Sequence, residues 1–204
     1  MVLEMQRPHI VVETLEGSFG RFVVEPLERG LGHTLGNSMR RILLSSIPGA
    51  AITSVRIEGV VHEFTTIEGV KEDTMDIILN LKGVILRIDG EGVFSLYLNA
   101  TGPKTVTAGD IETPAEVEVI NPDSKICTLN SKAKLKMEMT AQKGRGYVSA
   151  ELLGGPRDVA GTIPLDAMFS PVVRVSYRVE ATRVGQRTDY DKLVLDVTTN
   201  GSID

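Results

Sequence analysis

The sequence predicts an α+β fold in two parts, a discontinuous domain whose segments flank a β-rich insert. Three observations carry this. Residues 9–25 alternate as a hairpin leading into one amphipathic helical stretch, residues 171–198 alternate as a second hairpin, and residues 83–140 between them read almost entirely as strand and turn. The expected boundaries are 1–49 with 174–204 for the discontinuous domain and 50–173 for the insert. Neither an internal repeat nor a low-complexity tract interrupts this reading.

The first two strands, His9 to Leu15 and Phe19 to Glu25, are joined by the turn Glu16-Gly17-Ser18. Pro26 and the glycines at 30, 32 and 36 argue against a regular element before Thr34, and Pro48-Gly49 against one past Ile47. A helix over roughly 34–46 is therefore expected, with Thr34 as its N-cap. At about 100° per residue, Leu35, Met39, Ile42, Leu43 and Ile47 share a broad apolar face with Arg40 at its margin. Arg41 points the opposite way, beside Asn37, Leu44 and Ser45. An ordinary core helix with one stray leucine is one reading of this pattern. The other is a helix with two kinds of partner: a sheet and a second helix on its broad face, another protein on its arginine face.

Beyond Pro48-Gly49, residues 51–58 alternate as a half-buried strand and Val60 to Phe64 reads as a short second one. Lys71 to Leu81 follows as a helix, with Glu72 and Asp73 suited to its N-terminus. Val84 to Ile88 and Val93 to Leu98 flank Asp89-Gly90-Glu91-Gly92 as an expected hairpin, and strand pieces follow near 104–107, 116–120 and 125–129. In Lys132 to Ala141, Leu135, Met137 and Met139 face inward against Lys134, Lys136 and Glu138. Gly144 to Asp158 reads as loop. Pro171 opens a strand in which Val173, Val175, Tyr177, Val179 and Ala181 oppose Arg174, Ser176, Arg178, Glu180 and Thr182, and Gly185 to Asp189 return it to Lys192 to Thr198. Ser202 or Asp204 has the look of a helix N-cap.

At 204 residues and 42% apolar content the chain can bury a proper core. Aromatics at 4% and a net charge of -5 disfavour base stacking and phosphate attraction, and point to protein partners or small molecules. The single Cys127 lies in an apolar run, as an inert buried thiol would, and suits a reducing cytosol. No signal peptide and no apolar run of about 20 residues is present, so a soluble intracellular protein is expected. Gly30-x-Gly32-x-x-x-Gly36 before a helix, with Glu58 after the next strand, imitates a dinucleotide fold and supplies the alternative of a nucleotide-binding enzyme. Against it, Pro26 to Arg29 separate strand from glycines, Glu28 would repel a pyrophosphate, and antiparallel hairpins replace parallel βαβ units. His33 and His62 lack partners at ligand spacing, and no nucleophile elbow is present, so no catalytic, cofactor or metal site is assigned. Lys143-Gly144-Arg145-Gly146-Tyr147 reads as an exposed protein-docking loop. Arg183, Arg187 and Lys192 form either a solvated edge or a docking surface.

GHTLGNSMRRILLSSIPGAA, together with VVEPLERG, VRIEGVVHEFTTIEGVKEDTMDIILNLKG, KGRGYV, FSPVVRVSYRVEATRVGQRTDYDKL and TNGSID, resembles the amino-terminal assembly domain of the alpha subunit of bacterial DNA-directed RNA polymerase. The resemblance implies a dimerisation domain interrupted by a β-rich insert, and a non-catalytic transcription scaffold in the bacterial cytoplasm. It implies a homodimer that assembles the beta and beta-prime subunits of the nucleotidyltransferase complex, with no cofactor, no membrane contact and no specific DNA contact from this portion. Leu35, Met39, Ile42 and Leu43 would form the dimer interface. The beta contact would use Asn37, Arg41, Leu44, His62 and Lys82, and the beta-prime contact Arg145 and Arg187. Family members continue past the position of Asp204 with another amphipathic helix, then a linker and a DNA- and activator-binding domain. Without that helix, Leu35, Met39 and Ile42 would lose cover worth ~1.5 to 3 kcal/mol per large side chain, so a weakened or dimer-dependent fold is expected. The glycine-rich Leu152 to Val159 stretch is expected to vary among members.

Overall fold

A computed structural model describes residues 7–153 and 161–203. The chain runs β1 (His9–Glu16), β2 (Phe19–Leu27), α1 (Leu31–Ser46), β3 (Pro48–Ile57), α2 (Thr74–Lys82), β4 (Leu86–Ile88), β5 (Val93–Thr101), β6 (Lys104–Thr107), β7 (Ile111–Glu112) and β8 (Val117–Val119). It continues through β9 (Lys125–Leu129), β10 (Lys134–Arg145), β11 (Tyr147–Val148), β12 (Thr162–Pro164), β13 (Ala167–Met168), β14 (Val172–Val184) and β15 (Arg187–Thr199). These elements form two compact units, 1–47 with 171–204, and 48–170. Pro48 already pairs with Arg145, and Pro171 accepts the Asn200 amide at 2.9 Å, which places the crossings at 47 and 171 where 49 and 174 were expected. The architecture is α+β and mostly antiparallel.

The first unit is a four-stranded antiparallel sheet, β1-β2-β15-β14, with α1 on one face. Period-two alternation puts Phe22 and Val24 of β2, Val175, Tyr177 and Val179 of β14, and Leu193, Leu195 and Val197 of β15 on one side. Val172, Val175, Leu195 and Val197 are buried there, and Met39, Leu43, Leu44 and Ile47 of α1 pack against them. A register shift between Val172 and Arg174 turns Val173 outward, against the inward position expected for it.

Helix α1 starts at Leu31, not Thr34, and Gly30 at φ 86 is its boundary. Gly32 and Gly36 are its only buried residues. A Cβ on Gly36 would lie 2.7 Å from Tyr177 Cε2, and one on Gly32 2.8 Å from Val179 Cγ1. These glycines, weak helix formers by propensity, are needed because the helix backbone rests directly on β14. Pro26 likewise sits inside β2, where the ladder with β15 slips between the pairs Leu27–Asp191 and Val24–Leu193. On the opposite face Arg21 grips Asp196 with two nitrogens, Nε at 2.6 Å and Nη2 at 3.1 Å, while Arg178 stands 3.7 Å away. The Arg21 hydrogen bond holds the Asp196 carboxyl below its ordinary value of 3.8.

The second unit holds a seven-stranded sheet, ordered β7-β5-β10-β3-β4-β8 with β12 on β3, and two-stranded ribbons β6–β9 and β11–β13. Its core joins Val55, Leu96, Leu98, Leu135 and Met139 to Ile77 and Leu81 of α2. Asp73 caps α2 by accepting the Asp76 amide at 2.7 Å. Glu72 accepts the Thr128 amide at 2.6 Å and pairs with Lys125 at 2.8 Å, which ties β9 to the start of α2. Burial alone would raise Glu72, and these two donors bring it below the ordinary value. Burial pushes the Cys127 thiol up to about 12, so it stays protonated and inert.

Two expected elements of the insert differ. Val60 to Phe64 forms turns: Val60 donates to Ile57 and Thr65 to His62, local bonds that leave no strand ladder. Val84 to Ile88 and Val93 to Leu98 do not pair with each other, since β4 lies between β3 and β8 and β5 between β7 and β10. Alternation fixed which residues face inward but not which strand lies alongside. The stretch expected as loop from Gly144 begins instead with the end of β10, which reaches Arg145, and with β11; residues 154–160 and Asp204 lie outside the described residues. Among the described residues no helix is long and apolar enough to cross a membrane.

Gly36→Ala should destabilise the fold by roughly 1–3 kcal/mol by forcing a methyl into the Tyr177 ring, seen as a lower urea midpoint. Asp196 contributes stability in full above its ordinary value and loses it as the pH falls through the lower folded value. Asp196→Asn should therefore unfold more easily than the native chain near neutrality, with the gap closing toward about pH 2 in urea titrations at both pH values.

Candidate protein-docking surfaces

In the first unit, α1 comes closest to its sheet along the glycine line, and Met39, Leu43, Leu44 and Ile47 pack beside that line while staying only half-buried. Met39, Leu43 and Ile47 on one flank, with Leu15, Phe22 and Ile203, line an apolar trough of about 430 Å³. Leu35 is half-buried, while Ile42 is 57% exposed. The four expected dimer residues thus differ: Met39 and Leu43 belong to the trough wall, and Ile42 projects outward. β1 adds Ile10, Val11, Val12 and Leu15 as exposed apolar residues on an edge strand.

Asn37 and Arg41 are exposed, and the Arg41 guanidinium has no acidic partner among the described residues. Leu44, expected on the same solvated side, instead leans into the cluster around Val175 and Leu195 and is half-buried. Because Gly32 and Gly36 face the sheet, Leu44, about 80° around the helix from Gly36, falls at the margin of the sheet side. Arg187 at the β14–β15 turn is already engaged. Its Nε and Nη2 donate to Asp189 at 3.1 Å each, its Nη1 to the Tyr190 hydroxyl at 2.9 Å, and its Nη2 stands 3.6 Å from Glu28. Its guanidinium also lies over the Tyr190 ring at 4.5 Å.

In the second unit, His62 occupies an exposed loop, its Nδ1 3.1 Å from Thr65 Oγ1. Beside it Val61 and Phe64 are each 76% exposed, an apolar pair hidden by the strand reading of this segment. Lys82 ends α2 and donates to Asp166 at 3.2 Å, and Asp166 also accepts the Ala150 amide at 2.9 Å. That amide first, and then the Lys82 ammonium, hold Asp166 below the ordinary carboxylate range. Arg145 is exposed at the end of β10, next to the ribbon pair Tyr147 and Met168, exposed by 60% and 63%. A concavity of about 510 Å³ lies over Arg56, Glu58, Lys136 and Glu138, but its charges cancel as the ion pairs Arg56–Glu138 and Lys136–Glu58.

Nothing in this geometry favours a dinucleotide. β2 and β3 lie in different sheets, and the Gly30 and Gly32 amides that a pyrophosphate would use donate to Asp191 Oδ2 at 2.8 and 3.2 Å. His33 stands edge-on to the Tyr177 ring at 6.5 Å between centroids. The residues that sequence reasoning missed are Phe64, Met168, Asp166 and Asp191. The strand reading of 60–64 hid the exposure of Phe64, and the other three become visible only through contacts or exposure in the folded chain.

The chain shares 56% identity over 202 residues with the DNA-directed RNA polymerase subunit alpha of Corynebacterium efficiens, covering 99% of this chain and 60% of that one. It is 57% identical over 202 residues to the same subunit of Corynebacterium glutamicum, with the same coverage, and 55% identical over 203 residues to that of Alkaliphilus oremlandii, covering 98% and 64%. The chain thus spans about 60% of the length of such curated relatives. Residues 55–170, nearly the whole second unit, match the family model described as the RNA polymerase Rpb3/RpoA insert domain. An interrupted sheet with an insert of this kind, and similarity to alpha subunits along almost the entire chain, lead to one conclusion: the protein belongs to the RNA polymerase alpha-subunit family that carries this insert domain.

Proposed function

We propose that this chain is the assembly portion of a DNA-directed RNA polymerase alpha subunit, a non-catalytic scaffold that pairs with a second copy and gathers the beta and beta-prime subunits in the bacterial cytoplasm. The observation that supports it most is the seating of α1. A helix seated close to its sheet by two glycines leaves part of an apolar flank exposed, together with an arginine that has no acidic partner among the described residues, which suits a helix with more than one protein partner. The similarity to alpha subunits supports the same reading. In it, Leu35, Met39, Ile42 and Leu43 serve the copy, Asn37, Arg41, Leu44, His62 and Lys82 the beta subunit, and Arg145 and Arg187 beta-prime. Phe64 adds an aromatic anchor beside His62. No observation favours the nucleotide-binding alternative.

Sedimentation of the full-length chain alone, with the beta subunit and with a dinucleotide tests the reading. A dimer that binds beta and ignores the dinucleotide is expected, and a monomer that binds only the dinucleotide overturns it. Arg41→Ala should leave the dimer intact and cost ~2 to 5 kcal/mol in beta affinity, as for a charge buried and paired at a contact. Unchanged affinity removes Arg41 from the interface. Ile42→Asp should abolish the dimer at micromolar concentration while the monomer keeps its circular dichroism, because Ile42 is exposed in the single chain.

A further inference from the structure

The Gly30-x-Gly32 turn is built like an anion cradle, and the anion that fills it is a carboxylate of the same chain. Asp191 Oδ2 accepts Gly30 N at 2.8 Å and Gly32 N at 3.2 Å. Helix α1 has no side-chain cap of its own and no acidic residue in its first turn, and Thr34 Oγ1 bonds back to the Gly30 carbonyl at 3.4 Å. The negative charge that a helix N-terminus favours therefore arrives from β15. Gly32 permits the approach, since a Cβ there would lie 3.1 Å from both Asp191 Cβ and Oδ2. A second tie lies alongside. Arg187 of the same hairpin stands 3.6 Å from Glu28, whose carbonyl accepts the Leu31 amide at 2.9 Å as the helix begins.

We infer that Asp191 is a positioning residue: from β15 its carboxylate caps α1 and fixes the direction in which the helix presents Asn37, Arg41 and its apolar flank. The inference rests on the docking role proposed above. It means that Asp191 governs partner binding through the helix, without itself touching the partner.

The test compares Asp191→Ala and Asp191→Asn in the full-length chain, by amide hydrogen exchange and by sedimentation equilibrium. In Asp191→Ala the Gly30 and Gly32 amides should exchange roughly tenfold faster and self-association should weaken roughly five- to thirtyfold. Asp191→Asn, whose carbonyl can accept the same two amides, should restore most of both, and exchange in β3 and β10 should not change in either variant. Native protection at Gly30 and Gly32 in Asp191→Ala overturns the inference, as does a loss of protection that spreads to β10 or is equal in the two variants. If the native chain neither self-associates nor binds beta, the docking role falls, and the Gly30 and Gly32 exchange still decides whether Asp191 is the cap.

Discussion

The first unit depends on a backbone-to-ring contact, Gly36 against Tyr177, with Gly32 against Val179 one turn earlier. An ordinary helix spends its large apolar side chains on its own sheet. Here the line of closest approach carries no side chain, so Met39 and Leu43 sit beside it only half-buried against the sheet and still line the trough, and Ile42 stays exposed. The tight seating also removes rotational freedom that a helix on longer side chains would keep. A surface meant to meet another protein gains from this, because less ordering is left to do at the moment of binding.

The basic residues assigned to docking fall into two electrostatic groups. Arg41 and Arg145 are exposed without an acidic partner among the described residues, so a partner's carboxylate would meet a solvated cation and displace only water. Lys82 and Arg187 are already bonded, to Asp166 and to Asp189. For them a new acidic partner must compete with an existing one, and the exchange yields specificity more than affinity. Asp166 is the more consequential of these anchors, since it joins the end of α2 to the segment following β11 through the Ala150 amide.

Much of the fold was legible in the sequence wherever one side of an element is wet. β10 alternates cleanly because it separates a buried face from a charged one, and β14 alternates in sequence, whereas Leu193, Val194 and Leu195 of β15 are all buried; the discontinuous layout follows from where the first and last hairpins fall. The start of α1 was not legible. Propensity counts against Gly32 and Gly36, and the residues that require them, Tyr177 and Val179, are remote in sequence. Strand neighbours in the insert were hidden for a related reason: Leu86, Ile88, Leu96 and Leu98 announce burial without naming a partner. Among the docking residues, helical phase made Arg41 visible. The pairing of Lys82 with Asp166 and of Arg187 with Glu28 arises only from the folded chain.

The interrupted first unit also sets an order of events during synthesis. β15 lies between β2 and β14 inside its sheet, and it is the last of these four strands to be made. The insert at 48–170 is complete before β14 and β15 leave the ribosome, whereas β1, β2 and α1 must wait for them. At about 5–20 residues per second that wait is on the order of ten seconds, during which the apolar flank of α1 has no sheet to lie on. For most of that wait the insert is still being made, so the amino-terminal segment of the nascent chain is the part longest exposed to holdase chaperones.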